Sequence, residues 1–248
     1  MTPIRFPLSY LRWQARDALP KALVPLGFFL LMVGLPLVAF LQRTTLAVLR
    51  AGGDQQRILV QTYDQMLPVA LLLGAVVLMS GVSSLDRERQ HVRFLFSQPV
   101  TTWAYYVQYF AVATLLYVAA SALLPALFGL IVTPVPVVPV IRAALLSAFF
   151  FGSLGFLCGA LLNRDGIAFI LVMILGGTLQ QIDAAGQLSG FWTVVADVLP
   201  PVADASAVRS AWIDGRAADT EDLRLVLAYS LGMLVTALLL VRHRPLVR

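Results

Sequence analysis

Ser83–Phe110 reads SSLDRERQHVRFLFSQPVTTWAYYVQYF, and it interrupts two long apolar runs with five charges between Asp86 and Arg93 before closing on Ser97, Gln98 and Pro99. The surrounding chain of 248 residues is 59% hydrophobic with mean hydropathy +0.84. Only 12% of it is Asp, Glu, Lys or Arg, about half the charged share of a soluble domain. Such a chain belongs in a bilayer. Crossing roughly 30 Å of hydrocarbon takes about 20 helical residues. Six runs approach that length: Ala22–Leu41, Met66–Leu85, Val107–Val132, Val140–Leu162, Ile167–Ile182 and Leu223–Val241. The expectation is an all-α polytopic membrane protein with six transmembrane helices in a single domain over residues 1–248. The fifth run is short even with its Gln pair, so it either tilts little or runs on along the interface through Asp183 to Leu188. Gly176-Gly177 offers a place for it to break. The first run is read as a retained anchor rather than a removable leader.

Orientation follows from the basic residues. If the N-terminus is cytoplasmic and the spans alternate, the inside holds Arg5, Arg12, Arg16, Lys21, Arg87, Arg89, Arg93, Arg164, Arg242, Arg244 and Arg248. The outside then holds Arg43, Arg50, Arg57, Arg142, Arg209, Arg216 and Arg224. Lys and Arg concentrate on the cytoplasmic side of a membrane protein. Eleven against seven therefore puts both termini in the cytoplasm, in a cell (inner) membrane. Although the isoelectric point is near 9.8, these cations sit at span ends rather than on one soluble face. Topology explains them without nucleic acid as a partner.

The charged burst thus faces the cytoplasm. One reading is a solvated turn carrying orientation charges. Against it, about twenty residues separate Leu85 from Val107 where a few suffice for a turn. Leu85, Val92 and Phe96 share one helical face with Arg89 beside them, while Asp86, Gln90 and Arg93 point elsewhere. Pro99 removes a backbone donor and disfavours helix at Gln98. Trp103, Tyr105, Tyr106 and Tyr109 then re-enter, read as an aromatic belt at the interface. A helix, a corner and a re-entry make a protruding elbow for a soluble partner to grip.

At these residues the chain resembles the permease subunit of type 2 ATP-binding-cassette (ABC) exporters. The matching residues are Glu88 with Arg89, then Phe94, Leu95 and Phe96, then Ser97, Gln98, Pro99, Val100 and Thr101, then Trp103 and Tyr106. Gln90 and His91 stand where the family usually has Gly-Thr. Elsewhere the likeness is one of layout: six spans, an amphipathic N-terminal segment and a long outer segment before the last span. The resemblance implies that the elbow is a coupling helix, docking through Glu88, Arg89, Phe94, Phe96, Gln98 and Pro99 on a separate ABC ATPase subunit. It also implies two copies of that ATPase, which bind the ATP and magnesium, and a second permease copy in a homodimer. Apolar anchors in a groove, with charges fixing orientation, suit such docking.

Other features narrow the function. The chain has no Gly-x-x-x-x-Gly-Lys, and its single lysine, Lys21, precedes the first run, so it forms no P-loop. No cofactor is expected in this chain, and it is not expected to be an enzyme. The lone cysteine, Cys158, allows neither an intrachain disulfide nor a multi-thiolate metal site. Ser153, within FGSLGF, has no His in any span to act as base. Asp214, Gly215, Asp219 and Asp222 read as a solvated acidic loop rather than a metal site. His91 and His243 fall at the cytoplasmic edge, and neither reads as a ligand. In the N-terminal segment Ile4, Leu8, Leu11, Ala15 and Ala18 share a face, with Arg5, Arg12 and Arg16 in a second stripe. This fits an interface helix whose arginines reach lipid phosphates, and it is compatible with an ordinary basic leader. Ala144, Ala148, Gly152, Gly155 and Gly159 form a small-residue stripe, read as close packing within one subunit ahead of a dimer seam.

Three classes of function remain: a permease driven by a separate ATPase, an ion-coupled carrier or channel, and an intramembrane enzyme. The spans show no ionisable residues apart from Arg142 and Arg224 near their ends, which counts against ion coupling. The missing His, metal clusters and nucleophile pairs count against an enzyme. A path lined by Ser, Thr, Gln and aliphatic side chains suits an amphiphile, lipid-like molecule, drug or peptide. Finally, Asp183–Asp222 permits a flexible loop, yet Phe191, Trp192, Val194, Val195, Val198 and Leu199 form one apolar cluster, and Val208, Ala211, Trp212 and Ile213 a second. Clusters of that size rarely stay in water. The expectation is two short outer-leaflet helices forming a lid, with Pro200-Pro201 setting the corner between Trp192 and Trp212.

Overall fold

The computed structural model describes residues 10–31, 54–79, 102–161 and 165–243, and among them only helices form. They are α1 (Leu11–Ala22), α2 (Asp54–Met79), α3 (Thr102–Ile131), α4 (Val137–Leu161), α5 (Asp165–Ala184), α6 (Phe191–Val198), α7 (Val202–Ile213) and α8 (Thr220–His243). A further helical stretch, 24–31, follows α1 after a turn at Leu23. Among the described residues four helices are long and apolar enough to cross a bilayer: Val60–Leu78, Trp103–Leu130, Val137–Leu161 and Thr220–Arg242. The count becomes five if α6 and α7, bent by 51°, form one broken span. Ala168–Ala184 is a shorter apolar helix. Of the six expected runs, the first is described only to Leu31 and the second only to Met79.

Local chemistry sets the ends. Asp219 accepts a hydrogen bond from the Glu221 N–H at 2.8 Å, capping α8, whose first turn also carries Glu221 and Asp222. At the end of α5, Gly186 takes φ +68°, the Gln187 N–H reaches Ile182 O at 3.1 Å, and the Gly186 N–H reaches Asp183 O at 2.7 Å. That double bond pattern is a glycine-terminated helix end. The break proposed at Gly176-Gly177 does not occur; α5 runs through both glycines.

α4 is the centre of the bundle and meets α2, α3, α5, α7 and α8. Its Ala144, Ala148, Gly152, Gly155 and Gly159 are all buried, so the small-residue stripe is used inside this chain. Around it, Phe29 stacks edge-on against Tyr63 at 5.4 Å, and Tyr63 lies 4.4 Å from Phe128, joining 24–31, α2 and α3. Pro68 and Pro125 lie inside α2 and α3, where packed neighbours tolerate the lost backbone bond.

One expected face is corrected. Tyr105, Tyr106 and Tyr109 are buried rather than arrayed as an interfacial belt. Tyr105 meets Tyr10 and Tyr106, while Tyr106 lies 5.5 Å from Phe156 of α4, so the aromatic cluster faces protein on both sides. α1 packs on α3 through Gln14, Ala18 and Ala22; of the expected apolar stripe Ala18 is buried there, while Leu11 is exposed. Polar bonds decide that rotation. Gln14 Nε2 donates to the Tyr105 carbonyl at 3.2 Å. Tyr109 OH donates to Asp17 Oδ2 at 2.8 Å, and Lys21 Nζ donates to both.

Candidate functional site

α5, α6 and α7 build the most unusual region. Gln180 of α5 holds the corner: its Nε2 donates to Pro200 O at 2.9 Å, and its Oε1 accepts from the Ala203 N–H at 3.0 Å. Neither proline supplies a backbone donor, so a side-chain amide satisfies the exposed groups of the turn. Gly176 and Gly177 leave room for Val202, whose methyls lie within van der Waals distance of any Cβ placed there. On the far side, Tyr229 of α8 donates to Asp197 O at 3.1 Å. Phe191 (73% exposed), Trp192, Val194 and Val198 of α6 point outward as an apolar face.

α7 does not lie over the bundle. It packs into it, burying Val202, Ala205, Val208 and Arg209 against α4, α5 and α8, with Trp212 partly buried beside them. The two short helices expected on either side of Pro200-Pro201 are present, and the second of them, α7, sinks into the bundle because its small residues let it approach α4 closely. Arg209, counted above among the outer cations, is only 6% exposed. Its guanidinium sits 5.9 Å from the Phe151 ring centroid, at the midpoint of α4. Its Nε and Nη1 have no hydrogen-bond partner among the described residues. Nearby, Tyr117 OH donates to Leu71 O at 2.6 Å. A cation–π contact recovers part of the cost of burying a cation. The unpartnered Nε and Nη1 leave part of that cost unanswered among the described residues.

In α2, which starts at Asp54, well before Met66, the exposed Asp64 falls within Val60–Leu78, the stretch long and apolar enough to cross a bilayer. Sequence reasoning missed Arg209 because the acidic neighbourhood suggested solvent. The usable signal was the helical spacing of Val202, Ala205, Val208 and Trp212 among Ala and Ser residues, with one Arg on the inward side.

An open groove of about 390 Å³ lies where α3, α4, α7 and α8 meet, with Thr114, Arg142 and Trp212 in its lining. The acidic segment after α7 holds an Arg216–Asp214 ion pair, and among the described residues no His, Cys, Asp or Glu group could hold a metal ion. Arg12 and Arg16 of the expected interface helix are exposed on α1. Arg5 and the elbow residues Glu88, Arg89, Phe94, Phe96, Gln98 and Pro99 lie outside the described residues. Comparison of the chain with protein families, curated proteins and solved structures finds no match.

Proposed function

We propose that this chain is the membrane permease subunit of an ATP-driven exporter, working as a pair with two separate ATPase subunits. Its cargo is an amphiphilic, lipid-like, drug or peptide molecule. It has six spans in a cell (inner) membrane, with both termini cytoplasmic. The observation that carries this reading is α7, a helix that turns back into the bundle just before the last long helix and brings a buried cation to mid-depth. Such an element is costly as a resting structure and useful as a moving one. ATP binding closes the ATPases and moves the elbow between α2 and α3. Because α2 and α3 interlock through the Tyr63–Phe128 ring contact and the Tyr117–Leu71 hydrogen bond, they move together. The driving energy is the difference in ATP affinity between the two states.

The test is co-purification. The double variant Phe96→Ala with Glu88→Ala is expected to insert normally yet lose its ATPase, since a buried aromatic anchor contributes about 2 kcal/mol or more. Recovery of the ATPase at wild-type yield overturns the coupling assignment. A second reading, an ion-coupled carrier, gains from Arg209, since an ionisable group inside a bundle marks a coupling pathway. Transport in proteoliposomes driven by a proton gradient without ATP selects it.

The lid reading is now specific to α6. Trp192 is exposed and Trp212 packs against the core, so the emission of Trp192 in nanodiscs is expected to be quenched by lipid-borne quenchers while Trp212 is shielded. Quenching of Trp192 by aqueous iodide alone means that α6 lies in water.

A further inference from the structure

We propose that the groove between α3, α4, α7 and α8 binds an anionic phospholipid of the surrounding bilayer, with its acyl chain in the groove and its phosphate on Arg142. This deepens the proposed function and rests on its membrane placement. The volume, about 390 Å³, lies within the usual range for small-molecule sites. Leu145, Leu146, Phe149, Trp212, Leu223 and Leu227 make the walls apolar. Two polar side chains remain, at different depths. Thr114 sits near the middle of α3, and Arg142 stands in the second turn of α4.

Arg142 is exposed and makes no hydrogen bond or ion pair among the described residues. A guanidinium at the rim of an apolar groove complements one chemistry well: an anion joined to a hydrocarbon chain. Its planar donor fork grips phosphate in two places, which an ammonium cannot do. Inorganic phosphate has no use for the leucine walls, and a neutral lipid leaves the cation unanswered. Near the end of α4, moreover, Arg142 lies at the level where a headgroup sits, with Phe149 about 10 Å further along the helix at 1.5 Å per residue. Since Trp212 belongs to α7, an occupying lipid also touches the re-entrant helix.

The full chain is placed in nanodiscs of phosphatidylcholine doped with phosphatidylglycerol, and the retained lipids are weighed by native mass spectrometry. The wild type is expected to retain phosphatidylglycerol over phosphatidylcholine by about tenfold, as one charge-assisted contact provides. Arg142→Gln is expected to abolish that preference with unchanged thermal unfolding. Leu145→Trp, which fills the groove and keeps the cation, is expected to exclude both lipids. Equal retention by the wild type, a preference that survives Arg142→Gln, displacement by inorganic phosphate, or a Leu145→Cys crosslink to a second copy in place of lipid each overturns the site. A chain that stays monodisperse in buffer without detergent overturns the membrane placement instead.

Discussion

Arg209→Met is expected to raise the stability of the protein and, under the exporter proposal, to lower ATP turnover of its complex. In the resting arrangement the guanidinium is buried, touches the Phe151 ring and leaves Nε and Nη1 unpartnered among the described residues. Replacing buried ionic groups by apolar residues of similar volume stabilises proteins by about 1 to 4 kcal/mol in favourable cases. Methionine keeps the unbranched stem and removes the charge. Arg209→Ala removes the stem as well, and a large-to-small change in a packed interior costs about 2 to 5 kcal/mol. The two variants should therefore move thermal unfolding in opposite directions. If α7 shifts during transport and the cation finds water or a carboxylate in the second state, methionine deepens the resting state alone. ATP turnover of the reconstituted complex should then fall about tenfold for each 1.4 kcal/mol of bias. Equal destabilisation by methionine and alanine would mean that the guanidinium is already well paired.

Composition and run length made the class of fold legible, because an all-α chain with apolar runs near twenty residues has few other solutions. The runs at 107–132, 140–162 and 223–241 lie within a few residues of α3, α4 and α8. The faces were harder to read. Helices buried over most of their surface, such as α4, carry no amphipathic signature from which an inward side follows. Tyr105, Tyr106 and Tyr109 suggested a belt because tyrosine is common at headgroup depth. α1, which meets Tyr105 and Tyr109, packs through Gln14, Ala18 and Ala22, of which only Ala18 belongs to the apolar stripe read from the sequence. The corner at Pro200-Pro201 was visible in the residues, but its clamp by Gln180 was not. Arg209 escaped for a similar reason: it is inserted by tertiary packing of a helix a third of whose residues are polar.

Gly74→Ala is expected to destabilise the bundle, whereas Gly176→Ala is expected to be tolerated. Both glycines lie inside helices, where alanine is intrinsically favoured by up to about 1 kcal/mol. Their surroundings decide the sign. A Cβ on Gly74 would come 2.7 Å from both Pro25 Cγ and Tyr117 Cε2, and 2.9 Å from Pro25 Cβ. Neither neighbour yields easily. The Pro25 ring is rigid and buried in the 24–31 helical stretch, and Tyr117 is fixed by its 2.6 Å bond to Leu71 O, one turn before Gly74. Admitting one methyl means separating α2 from its neighbours or breaking that bond, and overpacking of this kind costs about 1 to 3 kcal/mol. At Gly176 the nearest atom to an added Cβ is Val202 Cγ2 at 3.5 Å, an ordinary contact, so the helical gain stands. Thermal unfolding in micelles separates the cases. Gly74→Ala melting with the wild type would mean that 24–31 and Tyr117 do not close on α2 as tightly as described.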